Sequence, residues 1–353
     1  MVVAMVIEPD GAVPLPWLGQ PLRETLQRGR GHALLVHAAP GLGALEFALV
    51  LAQSHLCESR SVGAAPVLAC GHCPSCHHVQ SRLHLDLRVL LPEVDRLSLD
   101  WRLPDDRLDG GDGEGDGAKA KKKPSRQIRI DEVRDAVDWV AQTSSRGRAK
   151  VLVLHPAEKL NLYAGNALLK TLEEPPAGVR IILTASDPAN VLPTVRSRCQ
   201  ILRLETPSVT QGMAWLQGQG LGVDDAQALL TAASGRPLQA AALAAAGIQA
   251  RTWCDLPRAV QRGHASAFAG WPLPLAIDTL QRICHDALCL AVGAPPQFFP
   301  AAAMPAPAAA APLLDWQREL SRLSAFDEHP WNDALLMESM VAQGRAALSA
   351  RDD

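Results

Sequence analysis

Four cysteines stand close together early in the chain. Cys57, Cys70, Cys73 and Cys76 have the spacing C-x12-C-x2-C-x2-C, with Gly71 and Pro74 supplying tight turns among them. Four thiolates suffice for a closed tetrahedral Zn2+ site with no open coordination position, so the chemistry offered is structural. Soft sulfur donors also favour zinc over hard cations. One metal shared over these 20 residues would staple a loop with little apolar core of its own. Reduced cysteines without a metal are the plainer alternative. His72, His77 and His78 lie close by and read as solvent-facing neighbours rather than ligands. The other four cysteines are scattered, a usage that suits a reducing cytoplasm better than a disulfide framework.

A second candidate is the glycine turn Ala38-Ala39-Pro40-Gly41-Leu42-Gly43, which joins an apolar strand, His32 to His37, to a helix from Ala44 to about His55. The layout is that of a phosphate-binding loop, in which backbone N–H groups and a helix N-terminus cradle phosphate oxygens. A lysine then neutralises charge, and a Ser or Thr hydroxyl holds Mg2+. Here the lysine position is Ala44 and the hydroxyl position Leu45, the first glycine is Ala38, and only Gly41 and Gly43 remain. Glu46 adds negative charge where an anion would dock. The shape is expected to persist as a vestigial loop without the chemistry, and no functional ATP site is expected.

The elements that position these groups follow from the apolar pattern. Val151 to Leu154 is an unbroken apolar run, Asn161 to Glu174 carries apolar residues near a 3.6-residue period, and Pro175-Pro176 stops that helix. Ile181-Ile182-Leu183 follows, which makes a βαβ unit of a parallel sheet, and Ile201 to Leu204 reads as the last strand. Asp131 is expected to cap a helix running to about Gln142. Residues 105–123, an Asp/Gly run followed by lysines, miss the calcium-loop pattern and read as a disordered surface insertion. Beyond Pro207 the pattern is helical. Leu313, Trp316, Leu320 and Leu323 share one face, Leu335, Leu336, Met340 and Val341 another, and an Ala/Pro stretch from Gly293 to Pro312 reads as a flexible connection outside the core.

The run Asn166-Ala167-Leu168-Leu169-Lys170-Thr171-Leu172-Glu173-Glu174-Pro175-Pro176, followed 21 residues later by Ser197-Arg198-Cys199, resembles the AAA+ clamp-loader family of bacterial replication. The resemblance extends to the altered phosphate loop, the cysteine cluster, where the family carries a structural zinc module, and Ile130-Asp131-x-x-Arg134. It implies α/β plus all-α architecture. Residues 1–205 would form an AAA+-type parallel-sheet domain with the zinc module at 57–76, residues 206–247 a small helical lid, and 248–353 a helical collar domain. It also implies that active relatives carry Asp-Glu where this chain has His155-Pro156, neither of which is a Mg2+ carboxylate, with Glu158 two residues too far along. The expectation is therefore a non-hydrolysing subunit. It would assemble with gamma/tau and delta subunits in a hetero-pentamer, and act on the sliding clamp and primed DNA through that complex. An active gamma/tau-type ATPase is the alternative, disfavoured by Ala44, Leu45, His155 and Pro156. The resemblance further implies that Arg198 is an arginine finger acting in trans on a neighbour's ATP, with Arg196 the weaker candidate. Arg236, near where related ATPases sense γ-phosphate, is expected only to cap or pair locally.

Composition bounds the rest. The chain has 353 residues, 48% hydrophobic and 20% charged, enough for two or three packed cores. With five Phe and one Tyr those cores must be mostly aliphatic. A net charge of −3 provides no basic field for independent DNA binding, which argues against a stand-alone zinc protein that grips nucleic acid. The first residues lack the pattern of a signal peptide, no 18-residue apolar run is present, and a cytoplasmic protein without membrane contact is expected.

Overall fold

In the first half of the chain, short β-branched and leucine-rich runs form a sheet whose three central strands are buried on both faces. This is the pattern expected where parallel strands are covered by helices on either side. The computed structural model describes residues 5–29, 31–59, 67–101, 124–306, 308–324 and 332–350. The insertion expected at 105–123 lies outside the described residues. The chain divides into two units, Met1–Thr206 and Pro207–Asp353.

Among the described residues the first unit holds five parallel strands: β1 (Ala33–His37), β2 (Leu87–Leu90), β3 (Lys150–Leu154), β4 (Val179–Ala185) and β5 (Gln200–Arg203). Their order is β2-β3-β4-β1-β5. β1 pairs with β4 from Ala33↔Ile181 and with β5 from Leu34↔Gln200. The helices are α1 (Gly19–Gln27), α2 (Ala44–Leu56), α3 (Pro74–Gln80), α4 (Glu93–Ser98), α5 (Ile130–Val140), α6 (Leu162–Glu173) and α7 (Pro193–Arg196). Helix α2 packs on β1, β3 and β4. Helices α5 and α6 pack on each other, and their Val133, Ala136, Val140, Ala164, Leu168 and Leu172 share one core with strand residues Leu35, Leu152 and Ile181.

Local chemistry sets the helix ends. Asn161 Oδ1 accepts from the Ala164 N–H at 2.9 Å and starts α6. The cap of α5 differs from expectation. Arg129 occupies the cap position without a side-chain bond, and Asp131 lies one residue inside the helix, where its charge meets the positive end of the helix dipole. The helix ends at Val140, two residues short of Gln142.

Seven α-helices among the described residues build the second unit: α8 (Val209–Gly218), α9 (Val223–Ala232), α10 (Pro237–Ala245), α11 (Ala250–Gln261), α12 (Leu273–Ala291), α13 (Ala310–Ser324) and α14 (Asp333–Ser349). Ser208 and Gln211 form a reciprocal capping box at the start of α8. Leu313, Trp316, Leu320 and Leu323 are buried as the period requires. On α14 the buried face is Met337, Met340, Val341, Gly344 and Leu348. Leu335, expected on that face, sits in the first turn and is 63% exposed. Arg282 of α12 reaches the Ala232 carbonyl at the end of α9 at 2.7 Å, which ties the first three helices to the last four.

The Ala/Pro stretch is also not outside the core. Phe299, Met304, Ala308 and Ala309 are buried, Phe299 stacks on Trp253 with ring centroids 4.8 Å apart, and α13 has already begun at Ala310. The physical reason is Asp286. Fully buried on α12, it accepts from the N–H groups of Gln297, Phe298 and Phe299, each at 2.8 Å, and so fixes a backbone that has no ladder of its own. Composition alone does not reveal an anchor 11 to 13 residues upstream. Replacing Asp286 with Ala leaves three amides without acceptors, and unfolding titrations should show a loss of about 3 kcal/mol or more. A change under about 0.5 kcal/mol would contradict this role.

Candidate functional site

In a parallel sheet all strand ends of one kind lie along one edge, and ligand crevices form outside the carboxyl ends. Here that edge gathers the turn 38–43 after β1, His155 after β3 and Ser186 after β4. Gly41 and Gly43 both have φ of +89°, a left-handed conformation that glycine adopts without strain, so a tight glycine turn joins β1 to α2. Its surroundings are apolar. Leu15 and Leu18 press against Gly43, where a Cβ would collide with Leu15 Cδ1, and the Trp17 indole N–H donates to the Leu42 carbonyl at 2.9 Å. Ala44 and Leu45 follow at the start of α2 and offer neither ammonium nor hydroxyl. Glu46, half-buried beside the turn, has its carboxyl pKa raised by burial.

Across the same edge, His155 Nδ1 lies 2.6 Å from Thr184 Oγ1 of β4. Burial pushes its pKa down to about 4 against the opposing pull of Glu158, so the ring is neutral at physiological pH. Glu158 is committed elsewhere. Its Oε1 accepts from the Ser186 N–H at 2.5 Å, the Ser186 hydroxyl at 2.7 Å and the Asp187 N–H at 2.9 Å, bracing the loop after β4. The residues expected to be silent are thus placed together, with a hydrophobic plug from Leu15 and Trp17 that sequence reasoning missed. The only signal for it was a tryptophan set between Pro14 and Pro16 and the glycine turn.

Arg198 lies at the opposite edge. It precedes β5 by two residues, and Gln200 is level with Leu34 at the start of β1. At roughly 3.3 Å per residue, the five residues of β1 hold the glycine turn some 15 Å or more away, beyond the reach of one side chain. Arg198 emerges after α7, which packs against α6 at Gly165, where a Cβ would strike Leu192 Cδ1. Its guanidinium bonds Glu173, the last residue of α6, through Nε at 2.6 Å and also through Nη2, while Nη1 donates to the Thr194 carbonyl at 2.9 Å. Arg196 is turned inward, with Nη1 on the Pro188 carbonyl at 2.9 Å. In the second unit, Arg236 donates from Nε to the Ala233 carbonyl at 2.8 Å, at the start of α10.

The four cysteines converge, with one ligand atom from each lying within 4.8 Å of the others. Cys57 Sγ is 3.6 Å from Cys70 Sγ and 3.9 Å from Cys73 Sγ, and Cys70 Sγ is 3.9 Å from Cys76 Sγ. Zn–S bonds of about 2.3 Å at tetrahedral angles imply sulfur separations near 3.8 Å, so the cluster fits a zinc ion and could hold one. Backbone N–H groups of Cys70, Cys73 and Cys76 point at Cys57, Cys70 and Cys73 Sγ at 3.3 to 3.5 Å, an arrangement that favours thiolates. His72 and His77 are exposed and His78 half-buried. None of the three joins the cluster. A brace ties the module to the sheet. The Ser75 hydroxyl donates to Glu58 at 2.7 Å, and Arg146, on the approach to β3, meets the same carboxylate at 2.5 Å.

Comparison with known proteins fits this frame. A family model described as DNA polymerase III, delta subunit, matches residues 18–208, just over half the chain. The DNA polymerase III subunit delta' of Escherichia coli (strain K12) is 30% identical over 287 residues, 76% of either chain. The chain belongs to the DNA polymerase III delta' subunit family. The delta' subunit of Pseudomonas aeruginosa is 32% identical over 221 residues, 62% of this chain and 57% of that protein. The tau subunit of Salmonella typhimurium is 30% identical over 180 residues, 51% of this chain and 22% of tau. The first two delta' relatives are thus matched over 57% and 60% of their lengths, under two thirds. No helix among the described residues is long and apolar enough to cross a membrane.

Two measurements follow for this delta' family member. His155 is neutral when folded and its pKa of about 4 lies below the ordinary 6.5, so only the unfolded chain takes up its proton between those values. Its contribution to stability is complete above about pH 6.5 and is lost as pH falls toward 4. His155→Gln should therefore lose less stability than wild type between pH 7 and pH 5 in urea titrations, and an equal loss would contradict the placement. For the cysteine cluster, elemental analysis should give about one zinc per chain, with Cys73→Ser plus Cys76→Ser abolishing it. Metal-free protein of unchanged melting temperature would count against the site.

Proposed function

We propose that this delta' family member is a non-hydrolysing subunit of the DNA polymerase III clamp loader. It assembles with gamma/tau and delta subunits in a hetero-pentamer that loads the sliding clamp on primed DNA, and it lends Arg198 to an ATP site on a neighbouring subunit. The observation that carries this reading is the separation of the two candidate groups. The chain's own phosphate-type turn lacks its charged and metal-ordering residues and is packed with leucine, whereas a surface arginine stands at the far edge of the sheet. Arg198 lies out of reach of the chain's own turn, and its partly exposed guanidinium can meet a group on another subunit. Arginine suits that task, because a permanent charge on a planar fork stabilises the negative charge spread over transferring phosphoryl oxygens.

The cysteine module is proposed to hold one structural Zn2+, with the Glu58, Ser75 and Arg146 brace carrying its rigidity to the sheet. Direct DNA binding is not part of the proposal, since the net charge of −3 gives no field for it. A cytoplasmic location follows from this role in replication.

Two outcomes are expected. The purified subunit should hydrolyse ATP no faster than a buffer control, and Ala44→Lys with Leu45→Thr should not revive it, because His155 and Pro156 still supply no metal carboxylate. Turnover by the isolated wild-type chain would contradict the reading. In a reconstituted complex, Arg198→Ala should leave assembly intact and slow hydrolysis at the adjacent site by about 10³-fold or more. Full hydrolysis and clamp loading by that variant would reject the finger.

A further inference from the structure

The Arg198 guanidinium has five N–H donors in a fixed fork. Four of them are spent on its own chain. Nε and one Nη2 hydrogen address Glu173 Oε1, and the two Nη1 hydrogens address the Thr194 carbonyl at 2.9 Å and the Ser197 hydroxyl at 3.2 Å. A single Nη2 hydrogen remains. Bidentate recognition of a phosphoryl group needs two parallel N–H donors from one edge of the fork. As it stands, the guanidinium cannot offer such an edge without giving up a bond already made.

The bond to give up is identified by chemistry. The Thr194 carbonyl and the Ser197 hydroxyl are neutral acceptors from the segment that carries Arg198, and they hold the fork against α7. Glu173 comes from a different element and occupies the side-on edge formed by Nε and Nη2, the geometry a phosphate oxygen pair would take. It is also the one anion in the set. Its side chain is 50% exposed and that of Arg198 33% exposed, so the ion pair sits at the surface, screened by water and weak, and a more highly charged phosphate can displace it. At the last residue of α6, Glu173 has its negative charge beside the negative end of the helix dipole, which weakens its hold further.

We propose that Glu173 is a positioning residue that occupies the recognition edge of Arg198 and must yield it to the neighbour's phosphate, so that it sets how readily the finger engages. This rests on the finger reading above. Glu173 acts through Arg198 and touches no substrate.

The test uses the complex reconstituted with gamma/tau and delta subunits and the Arg198-dependent part of single-turnover ATP hydrolysis, for wild type, Glu173→Gln, Arg198→Ala and the double variant. Removing the charge while keeping the shape should raise kcat/KM by about two- to fivefold, the scale of a surface ion pair. The gain should shrink as salt is raised and vanish in the double variant. A purely structural role for Glu173 would lower activity, so a gain separates the two. Glu173→Ala removes the acceptor altogether and should give at least the same gain. Unchanged or reduced kcat/KM in both Glu173 variants, or a gain that survives Arg198→Ala, overturns the proposal. If Arg198→Ala leaves hydrolysis untouched, the finger reading itself fails. If Arg198→Ala abolishes hydrolysis and the Glu173 variants do not accelerate it, only the competition fails.

Discussion

The parallel pairing of β1 with β4 on one side and β5 on the other is the constraint on which the functional layout depends. Because the strands run the same way, whatever follows β1 and whatever precedes β5 must emerge at opposite edges of the sheet. The glycine turn follows β1 and Arg198 precedes β5, so one domain carries a glycine turn on one edge and a partly exposed arginine on the other. No loop rearrangement short of breaking the sheet brings the two together. A chain built this way can lose the chemistry of its own loop without touching the arginine, since the two groups share a scaffold but no contacts. The same register keeps β5, with its exposed edge residues Gln200 and Ile201, aligned with the middle of the sheet.

Much of this was legible in the residues. Glycines at 41 and 43 pointed to a tight turn between strand and helix, and both are left-handed. The C-x2-C-x2-C run foretold a converging cluster, because spacings so short leave thiols few other places to go. What stayed hidden depended on partners distant in sequence. Leu15 and Leu18 press on Gly43 while Trp17 bonds the Leu42 carbonyl, but leucines and a tryptophan among prolines could equally line any core. Asp286 reads as an ordinary helical acid until three amides 11 to 13 residues downstream are seen to converge on it, which is why the Ala/Pro stretch was misread as a spacer. Glu173 lay in plain view within the clearest motif of the chain, yet its bond to Arg198 spans 25 residues and a strand.

The zinc-type module and the sheet are coupled by charge and not by apolar packing alone. Glu58 follows Cys57 directly and accepts from both Ser75, which precedes Cys76, and Arg146, on the approach to β3. These groups hold its carboxyl below the usual carboxylate range, so the brace is fully charged at neutral pH. His84 completes the contact, within 3.1 Å of the Ser75 hydroxyl through Nε2 and accepting from the Asp86 N–H at 3.0 Å through Nδ1. The brace therefore reaches the approach to β2 and β3, which makes the module part of the sheet's support.

The central claim is that this chain meets ATP at residue 198 and not at its own glycine turn. The most direct measurement is photocrosslinking in the reconstituted complex with an ATP analogue carrying a reactive group on the γ-phosphate, followed by peptide mapping of this subunit. Adducts confined to the segment from Thr194 to Arg198 are predicted, and adducts on the turn from Ala38 to Leu45 would contradict the account.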